Sequence, residues 1–369
     1  MNNSKRFNEI DIIKALGIIL MVAGHASAPF SKFFYLFHMA IFFICSGFLF
    51  KDSSSDNFSN VLRLVKSKIK HLWFPYFVWS TIFTLLNNVF IRINIYTDNK
   101  DIFKYLSGTY ITTHKYLSIK EMMINVFKHI LFSGGNQMNG AFWFLRILFG
   151  VSISYCFIDY IIKKYSRFNE IYFQCGISII FLLIGYYLGL NNINIFYLSP
   201  VFSCYILYYM GHILFIIKEK FAFNKWHIHL LILLISFLLI SNLCKIGYVD
   251  IGGNKYTSPI FMVVVSLLGW FFLYELSYFI NKTIFKKIFI ELGKRTISIV
   301  ILHFLCMKIV TYIVCLVYDL PMYCLAGFPN VYGNIGLWWL AYTAVGVIVP
   351  VFLYDIYIKL LSSIKNRII

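Results

Sequence analysis

The sequence predicts an all-α polytopic membrane protein with about ten transmembrane helices and both termini in the cytoplasm. Of its 369 residues, 60% are hydrophobic and only 13% are charged, whereas soluble domains are about half apolar and a quarter charged. Apolar runs of about 20 residues, long enough to cross a bilayer, recur along the chain. We therefore expect one transmembrane domain over residues 1–369.

Ten candidate spans follow from these apolar runs. They cover about residues 10–29, 33–50, 72–94, 141–162, 172–190, 196–217, 228–246, 259–280, 296–318 and 336–358. The long loop at about 95–140 contains an amphipathic stretch, IKEMMINVFKHILF at 119–132, which predicts an outer re-entrant or interfacial segment that caps the bundle. Ser46 and Gly47 are small residues in the second span and favour close helix approach.

The first span also has features of a cleaved signal peptide. Ala26-Ser27-Ala28 resembles a small-residue cleavage site. However, Asp11 and Lys14 interrupt the apolar stretch, Pro29 follows the supposed site directly, and a second apolar segment begins at once. The sequence therefore predicts a retained first helix.

The net charge of +18 is interpreted as membrane topology. With the N-terminus in the cytoplasm, 22 of the 33 basic residues fall in cytoplasmic segments and 9 in outer ones, as the positive-inside rule requires. We therefore expect membrane lipids as partners and no nucleic acid. Most of the eight cysteines lie inside apolar runs and none forms a C-x-x-C pair, which predicts no disulfide framework and no metal site.

Lys14 and His25 share one face of the first predicted helix. Eleven residues at about 100° each give three turns plus roughly 20°, and place the two side chains about 16 Å apart along the axis. A cation near the cytoplasmic surface and a proton acceptor deep in the bundle suit a long anionic donor. The alternative is structural: Lys14 extends to the interface, and His25 forms a hydrogen bond between helices.

Charged or titratable side chains inside a bilayer cost roughly 3 kcal/mol on insertion scales and are therefore functional candidates. His38 can move protons or be a core histidine at a helix crossing. His303 lies mid-span and needs a partner, and Arg146 lies one turn deeper than the outer end of its span. Glu275 is a buried carboxylate, for which Arg146 and Lys308 are the partners that the sequence offers.

Two further groups have ordinary explanations beside functional ones. Arg63, Lys66, Lys68 and Lys70 form a cytoplasmic basic run that binds either anionic headgroups or the phosphates of a soluble donor. Trp143 stands at an outer interface, where aromatic belts are common without a functional role.

Four stretches together carry a resemblance to a known family. They are DIIKALGIILMVAGH (11–25), FYLFHMAIFFICSGFLF (34–50), FWFL (142–145) and ELGKRTISIVILHFL (291–305). In order and spacing they resemble the bacterial membrane acyltransferase family 3. Its members, some of them fucose-acetyltransferase-like, O-acetylate sugars of O-antigen, capsule and exopolysaccharide. The soluble SGNH-type domain of some members is not expected here, because the chain ends just after span ten.

The resemblance implies an O-acyltransferase of the bacterial inner membrane. It would use acetyl-CoA as acyl donor, with no bound cofactor, and a cell-surface glycan or lipid-linked sugar as acceptor. His25 would be the general base of a direct transfer, or would form an acyl-histidine intermediate, and the sequence does not separate the two. Lys14, where the family has arginine, would bind the CoA phosphates, and the pantetheine arm would run toward His25. The other site residues implied are Lys66, Lys68 and Lys70 for acyl-CoA, and His38, Trp143, Arg146 and His303 for positioning substrates.

Other functions stay open at this point. A polysaccharide exporter or flippase would also be basic, polytopic and rich in aromatic residues. An O-antigen polymerase or ligase usually has functional arginines in a long outer loop, but the loop here is rich in lysine. The sequence has no G-x-S-x-G, H-E-x-x-H or P-loop motif.

Overall fold

The computed structural model describes residues 7–105, 113–166, 169–194, 198–221 and 225–368. It is 76% helical with almost no sheet, which confirms the predicted all-α class. Its two short strands, β1 (Val249–Asp250) and β2 (Lys255–Tyr256), form an antiparallel hairpin in which Val249 lies opposite Tyr256.

The α-helices are numbered here in chain order. They are α1 Asn8–His25, α2 Ser31–Tyr35, α3 Ala40–Phe48, α4 Phe58–Lys68, α5 Phe74–Leu85, α6 Asn87–Arg92, α7 Ile119–Ile130, α8 Trp143–Tyr165, α9 Glu170–Leu190, α10 Ser199–Ile217, α11 Trp226–Leu243, α12 Pro259–Ile280, α13 Lys286–Lys294, α14 Thr296–Val317 and α15 Trp338–Ile368.

Seven helices in the described part of the chain are long and apolar enough to cross a membrane. They are Gln137–Tyr165, Glu170–Leu190, Ser199–Lys220, Trp226–Leu243, Pro259–Ile280, Thr296–Val317 and Trp338–Tyr357. These seven coincide with the last seven predicted spans, so the chain is a multi-pass membrane protein. The count of ten and the cytoplasmic termini stay predictions.

The first three predicted spans have a more broken structure. The first is the 18-residue helix α1, whose N-terminal half carries Glu9, Asp11 and Lys14. A continuous helix over 33–50 is wrong, because the chain turns at residues 36–39 between α2 and α3. A continuous helix over 72–94 is also wrong, because α5 ends at Leu85 and α6 begins at Asn87.

A local cause explains how the third of these regions begins. Pro75 has no N–H to donate to the preceding helical turn. The backbone widens there into a π-helical turn over Ile69–Trp73, and α5 then starts with Pro75 in its first turn, where proline is tolerated.

The described chain divides into two compact units. Unit 1 contains residues up to 17, 32–75 and 143–294, and unit 2 contains residues 18–31, 76–142 and 295–369. In unit 1, α3 and α10 approach closely through two glycines. A Cβ on Gly47 would lie 1.9 Å from the Tyr208 carbonyl oxygen, and one on Gly211 would lie 2.0 Å from that of Ile44. The close helix approach predicted at Ser46-Gly47 is thus confirmed.

Unit 2 packs α14 against α15 and includes the amphipathic helix α7. Ser118 and Glu121 form a capping box at the start of α7, which satisfies two of its free N–H groups. Near its end, buried His129 bonds through Nε2 to Thr84 Oγ1 at 2.9 Å. The amphipathic stretch at 119–132 thus contains a helix, and its position at the outer membrane interface stays a prediction.

Candidate active site

Two histidines meet in unit 2. His25 is the last residue of α1 and is half-buried, whereas His303 lies in α14 and is fully buried. Their rings stack with centroids 5.4 Å apart and an interplanar angle of 28°. The edge of Phe304 closes the same cluster, with its centroid 4.8 Å from that of His25. Two of the residues singled out in the sequence are thus brought together, although 278 positions separate them.

The hydrogen bonds of His303 define its protonation. Its Nδ1 lies 2.9 Å from the Ile299 carbonyl oxygen and 3.1 Å from that of Val300. Carbonyl oxygens only accept, so Nδ1 carries the proton, and in the neutral ring Nε2 keeps a lone pair. In the described structure Nε2 is buried without a hydrogen-bond partner. A buried acceptor of this kind is unusual in native structures and requires an explanation.

Asn330, which was not predicted from the sequence, holds the end of α1. Asn330 is 2% exposed, and its Nδ2 donates to the His25 carbonyl oxygen at 2.6 Å. Its Oδ1 accepts from the Gly333 N–H at 2.8 Å. A Cβ on Gly333 would lie 2.2 Å from the Ala26 carbonyl oxygen, so only glycine permits this approach. The loop therefore fixes the backbone that carries the His25 ring.

Lys308 and Glu275, both buried, have partners that the sequence did not indicate. Lys308 Nζ donates to the carbonyl oxygens of Leu325 at 3.0 Å and Gly327 at 2.6 Å. Glu275 binds His229 Nδ1 at 2.5 Å. The sequence left the partner of Glu275 open, and in the structure that partner is a histidine on helix α11.

A basic cavity of about 560 Å³ lies in unit 1. Its cationic lining residues are Lys51, Arg63 and Lys68. Other polar and apolar side chains from α3, α4, the segment between them and α10 complete the wall. Within the described residues none of these three cations forms an ion pair. Such a cavity can bind a phosphate-bearing ligand, since Arg offers paired donors and Lys a point charge.

Of the predicted acyl-CoA residues, only Lys68 lines this cavity. Burial lowers the pKa of Lys68 to about 8, because desolvation disfavours its charged form. Lys66 and Lys70 are exposed outside the lining. Lys14 is half-buried on α1 and pairs with Asp11 at 2.7 Å. Lys51, which follows α3 directly, was not predicted.

The remaining predicted positioning residues belong to unit 1. His38 lies in the turn between α2 and α3 and is buried, and its Nδ1 donates to the Phe34 carbonyl oxygen at 2.8 Å. Trp143 opens α8 and packs against Gly252, where a Cβ would lie 3.0 Å from its ring. Arg146 follows one turn later and is half-buried. His38 and Trp143 thus have structural contacts of their own.

The described residues contain no group of three or more His, Cys, Asp or Glu side chains that could hold a metal ion. The residues placed to bind a soluble cofactor or donor are the cations of the basic cavity. The groups placed for proton transfer are the two stacked histidines.

Comparison with known proteins gives one match. A family model described as the acyltransferase domain of acyltransferase family 3 matches residues 7–355, nearly the whole chain. Neither a curated protein nor a solved structure matches the chain. The motifs that resembled this family in the sequence lie within the matched range, and seven helices among the described residues are suited to crossing a membrane. The chain therefore belongs to acyltransferase family 3 and is a multi-pass membrane acyltransferase.

Proposed function

We propose that the protein is an O-acyltransferase of the bacterial inner membrane. It transfers an acetyl group from acetyl-CoA to a hydroxyl of a cell-surface glycan or its lipid-linked precursor. The observation that supports this most directly is the stacked pair of His25 and His303, found in a chain of an acyltransferase family. Imidazole accepts and releases protons near neutral pH, as such a transfer needs.

His25 serves as the general base in this proposal. It takes the proton of the acceptor hydroxyl while the hydroxyl oxygen attacks the thioester carbonyl carbon. The C–S bond breaks, the CoA thiolate leaves, and the proton passes from His25 to that sulfur. The products are the sugar acetyl ester and CoA thiol, so atoms and charge balance. General base catalysis of this type contributes about 10²–10⁴-fold to the rate.

His303 positions the acceptor. Because its Nδ1–H is committed to main-chain carbonyls, its Nε2 offers a lone pair in a dry environment. A sugar hydroxyl next to the reacting one, by donating to Nε2, would satisfy this buried acceptor and would bring the reacting hydroxyl beside His25. This arrangement also explains why the ring is fully buried yet incompletely bonded.

The donor phosphates bind the basic cavity and Lys14 in this proposal. CoA carries several phosphate charges, and Lys51, Arg63 and Lys68 surround a space of about 560 Å³. His38, Trp143 and Arg146 remain candidates for positioning the substrates from unit 1. Lys66 and Lys70 contribute only general positive charge in this arrangement.

The test is acyl transfer from labelled acetyl-CoA into the host's lipid-linked glycans. Membranes would hold wild type, His25→Ala or His227→Ala at matched levels, since His227 is an exposed histidine outside the site. Label should enter glycan with wild type and His227→Ala but not with His25→Ala. Equal label in all three would remove His25 from catalysis. If no variant transferred label and loss of the chain blocked glycan export, the chain would be an exporter.

A second pair of variants tests the donor anchor. Lys14→Arg keeps the positive charge and should keep the KM for acetyl-CoA near the wild-type value. Lys14→Ala should raise that KM with little change in kcat. An unchanged KM in Lys14→Ala would refute the anchoring role.

A further inference from the structure

A buried polar network in unit 1 holds the segment Asp52–Ser55, a 3-10 helical turn between α3 and α4. The network centres on Asp159 of α8, which is 2% exposed. Its Oδ2 accepts from Ser55 Oγ at 2.6 Å, and its Oδ1 accepts from Gln174 Nε2 at 3.0 Å. Ser55 is itself fully buried. The buried Asp159 carboxylate thus accepts a hydrogen bond from Ser55, which lies in a segment more than 100 residues earlier in the chain.

A second anchor comes from α10. His212 is 6% exposed, and its Nε2 lies 2.9 Å from Asp52 Oδ1. Its Nδ1 lies 2.7 Å from the hydroxyl oxygen of Tyr155. In the described structure Nε2 forms no hydrogen bond, so its approach to Asp52 is a close contact without hydrogen-bond geometry. The bond to Tyr155 therefore orients the histidine ring, which lies beside the Asp52 carboxylate.

Lys163 completes the attachment. Its Nζ donates to the Asp52 carbonyl oxygen at 2.8 Å and to Ser55 Oγ at 3.0 Å, and lies 3.4 Å from Asp159 Oδ2. The ion pair compensates the buried carboxylate, as buried charges require. The segment is thus fixed at both ends by side chains from two membrane-spanning helices.

The opposite side of this segment faces the basic cavity. Ser53 and Ser54 line the cavity, next to Lys51. Asn60 of α4 also lines it and donates through Nδ2 to the Ser53 carbonyl oxygen at 2.8 Å. A shift of the segment would therefore move Lys51 and the serine hydroxyls relative to α4.

We propose that Asp159 and His212 are positioning residues that fix one wall of the basic cavity for a phosphate-bearing ligand. They contact the segment Asp52–Ser55 and act on the ligand only through it. This inference rests on the proposed function, in which the cavity binds the phosphates of the acyl donor. It gives the polar network a role in ligand binding.

The experiment measures ligand affinity in detergent-solubilised full-length protein, with CoA and inorganic pyrophosphate as probes. Ser55→Ala removes the hydroxyl bonded to Asp159, and Tyr155→Phe removes the hydroxyl bonded to His212. Ser178→Ala is the matched control, because Ser178 is equally buried and bonds only the Cys175 carbonyl oxygen of its own helix. Thermal unfolding of each variant reports any general loss of stability.

Each of the two network variants should raise the Kd for CoA roughly tenfold, which is the effect of one buried hydrogen bond. Ser178→Ala should leave that Kd unchanged. In the transfer assay the KM for acetyl-CoA should rise while kcat at saturating donor stays constant, a split that a purely structural role would not produce.

Two results would overturn the inference. One is an unchanged Kd in both network variants, whether or not their Tm falls. The other is wild-type protein that binds neither probe, since the cavity would then not be an anion site. Wild type that binds pyrophosphate but not CoA would instead refute the donor of the proposed function. The network would then be judged by the pyrophosphate Kd of the same variants.

Discussion

Replacing Asn330 with alanine should slow acyl transfer, although the Asn330 side chain contacts no reacting atom. The side chain bonds two main-chain groups, the partly buried His25 carbonyl oxygen at 2.6 Å and the buried Gly333 N–H at 2.8 Å. A buried group left without its hydrogen bond costs about 1–3 kcal/mol. Taking the lower end for each group gives about 2 kcal/mol against the conformation that presents the His25 ring. If that energy is lost from the transition state, kcat falls about 30-fold.

The assay is the initial rate of label transfer at saturating acetyl-CoA, with protein levels matched. Asn87→Ala is the control, because Asn87 is also buried in unit 2 and donates to a main-chain carbonyl, that of Lys115, at 3.1 Å. It should change kcat less than threefold. Asn330→Asp should be at least as slow as Asn330→Ala, since a second oxygen would face the His25 carbonyl. A wild-type kcat in Asn330→Ala would refute the reasoning.

Three further predictions follow from the site and its surroundings. His303→Ala should lower kcat about 100-fold with the Kd for CoA unchanged, and a rise in Kd alone would contradict its place beside His25. Because the pKa of Lys68 is lowered to about 8, its charge is present below pH 8 and lost above it. CoA affinity measured by calorimetry should therefore fall between pH 7 and 9 in wild type and fall less in Lys68→Arg. If affinity fell equally with pH in both proteins, Lys68 would not bind the CoA phosphates. Glu275→Gln should lower unfolding free energy by about 3 kcal/mol, as breaking a buried pair does, whereas replacing Glu275 and His229 together by leucine should recover most of it in thermal unfolding.

The long helices could be predicted because length and apolar composition alone decide whether a segment can cross a bilayer. The breaks in the earlier spans could not. The stretch 34–50 is apolar throughout, so nothing in its pattern marks the turn at 36–39. In that turn Phe37 packs against Gly269 of α12, where a Cβ would lie 2.3 Å from its ring, and such a tertiary contact is not visible in the sequence. Pro75 was a visible signal, but it does not say whether a helix ends there or widens.

Only part of the candidate site could be predicted from the sequence. The eleven-residue spacing of Lys14 and His25 singled out α1, because helix geometry is local. The meeting of His25 with His303 depends on the packing of α1 against α14, which no spacing encodes. Asn330 follows Phe328-Pro329 in a loop without Lys or Arg, and no sequence pattern marks it as a site residue. Its importance comes from the carbonyl oxygen that it caps, a group every residue has.

The orientation of each residue around α4 divides the basic run after α3 into cations that line the cavity and cations that do not. On a helix at 100° per residue, Asn60, Arg63 and Lys68 fall within an arc of about 140°, and all three line the cavity. Lys66 lies about 60° outside that arc, on the exposed side. Nearness in sequence therefore puts Lys66 and Lys68 in one group, although the helix places them on different faces. Because a phosphate is bound by charges that face one space, the orientation of each cation decides its role. Lys66 is left with the other alternative, the anionic headgroups of the membrane.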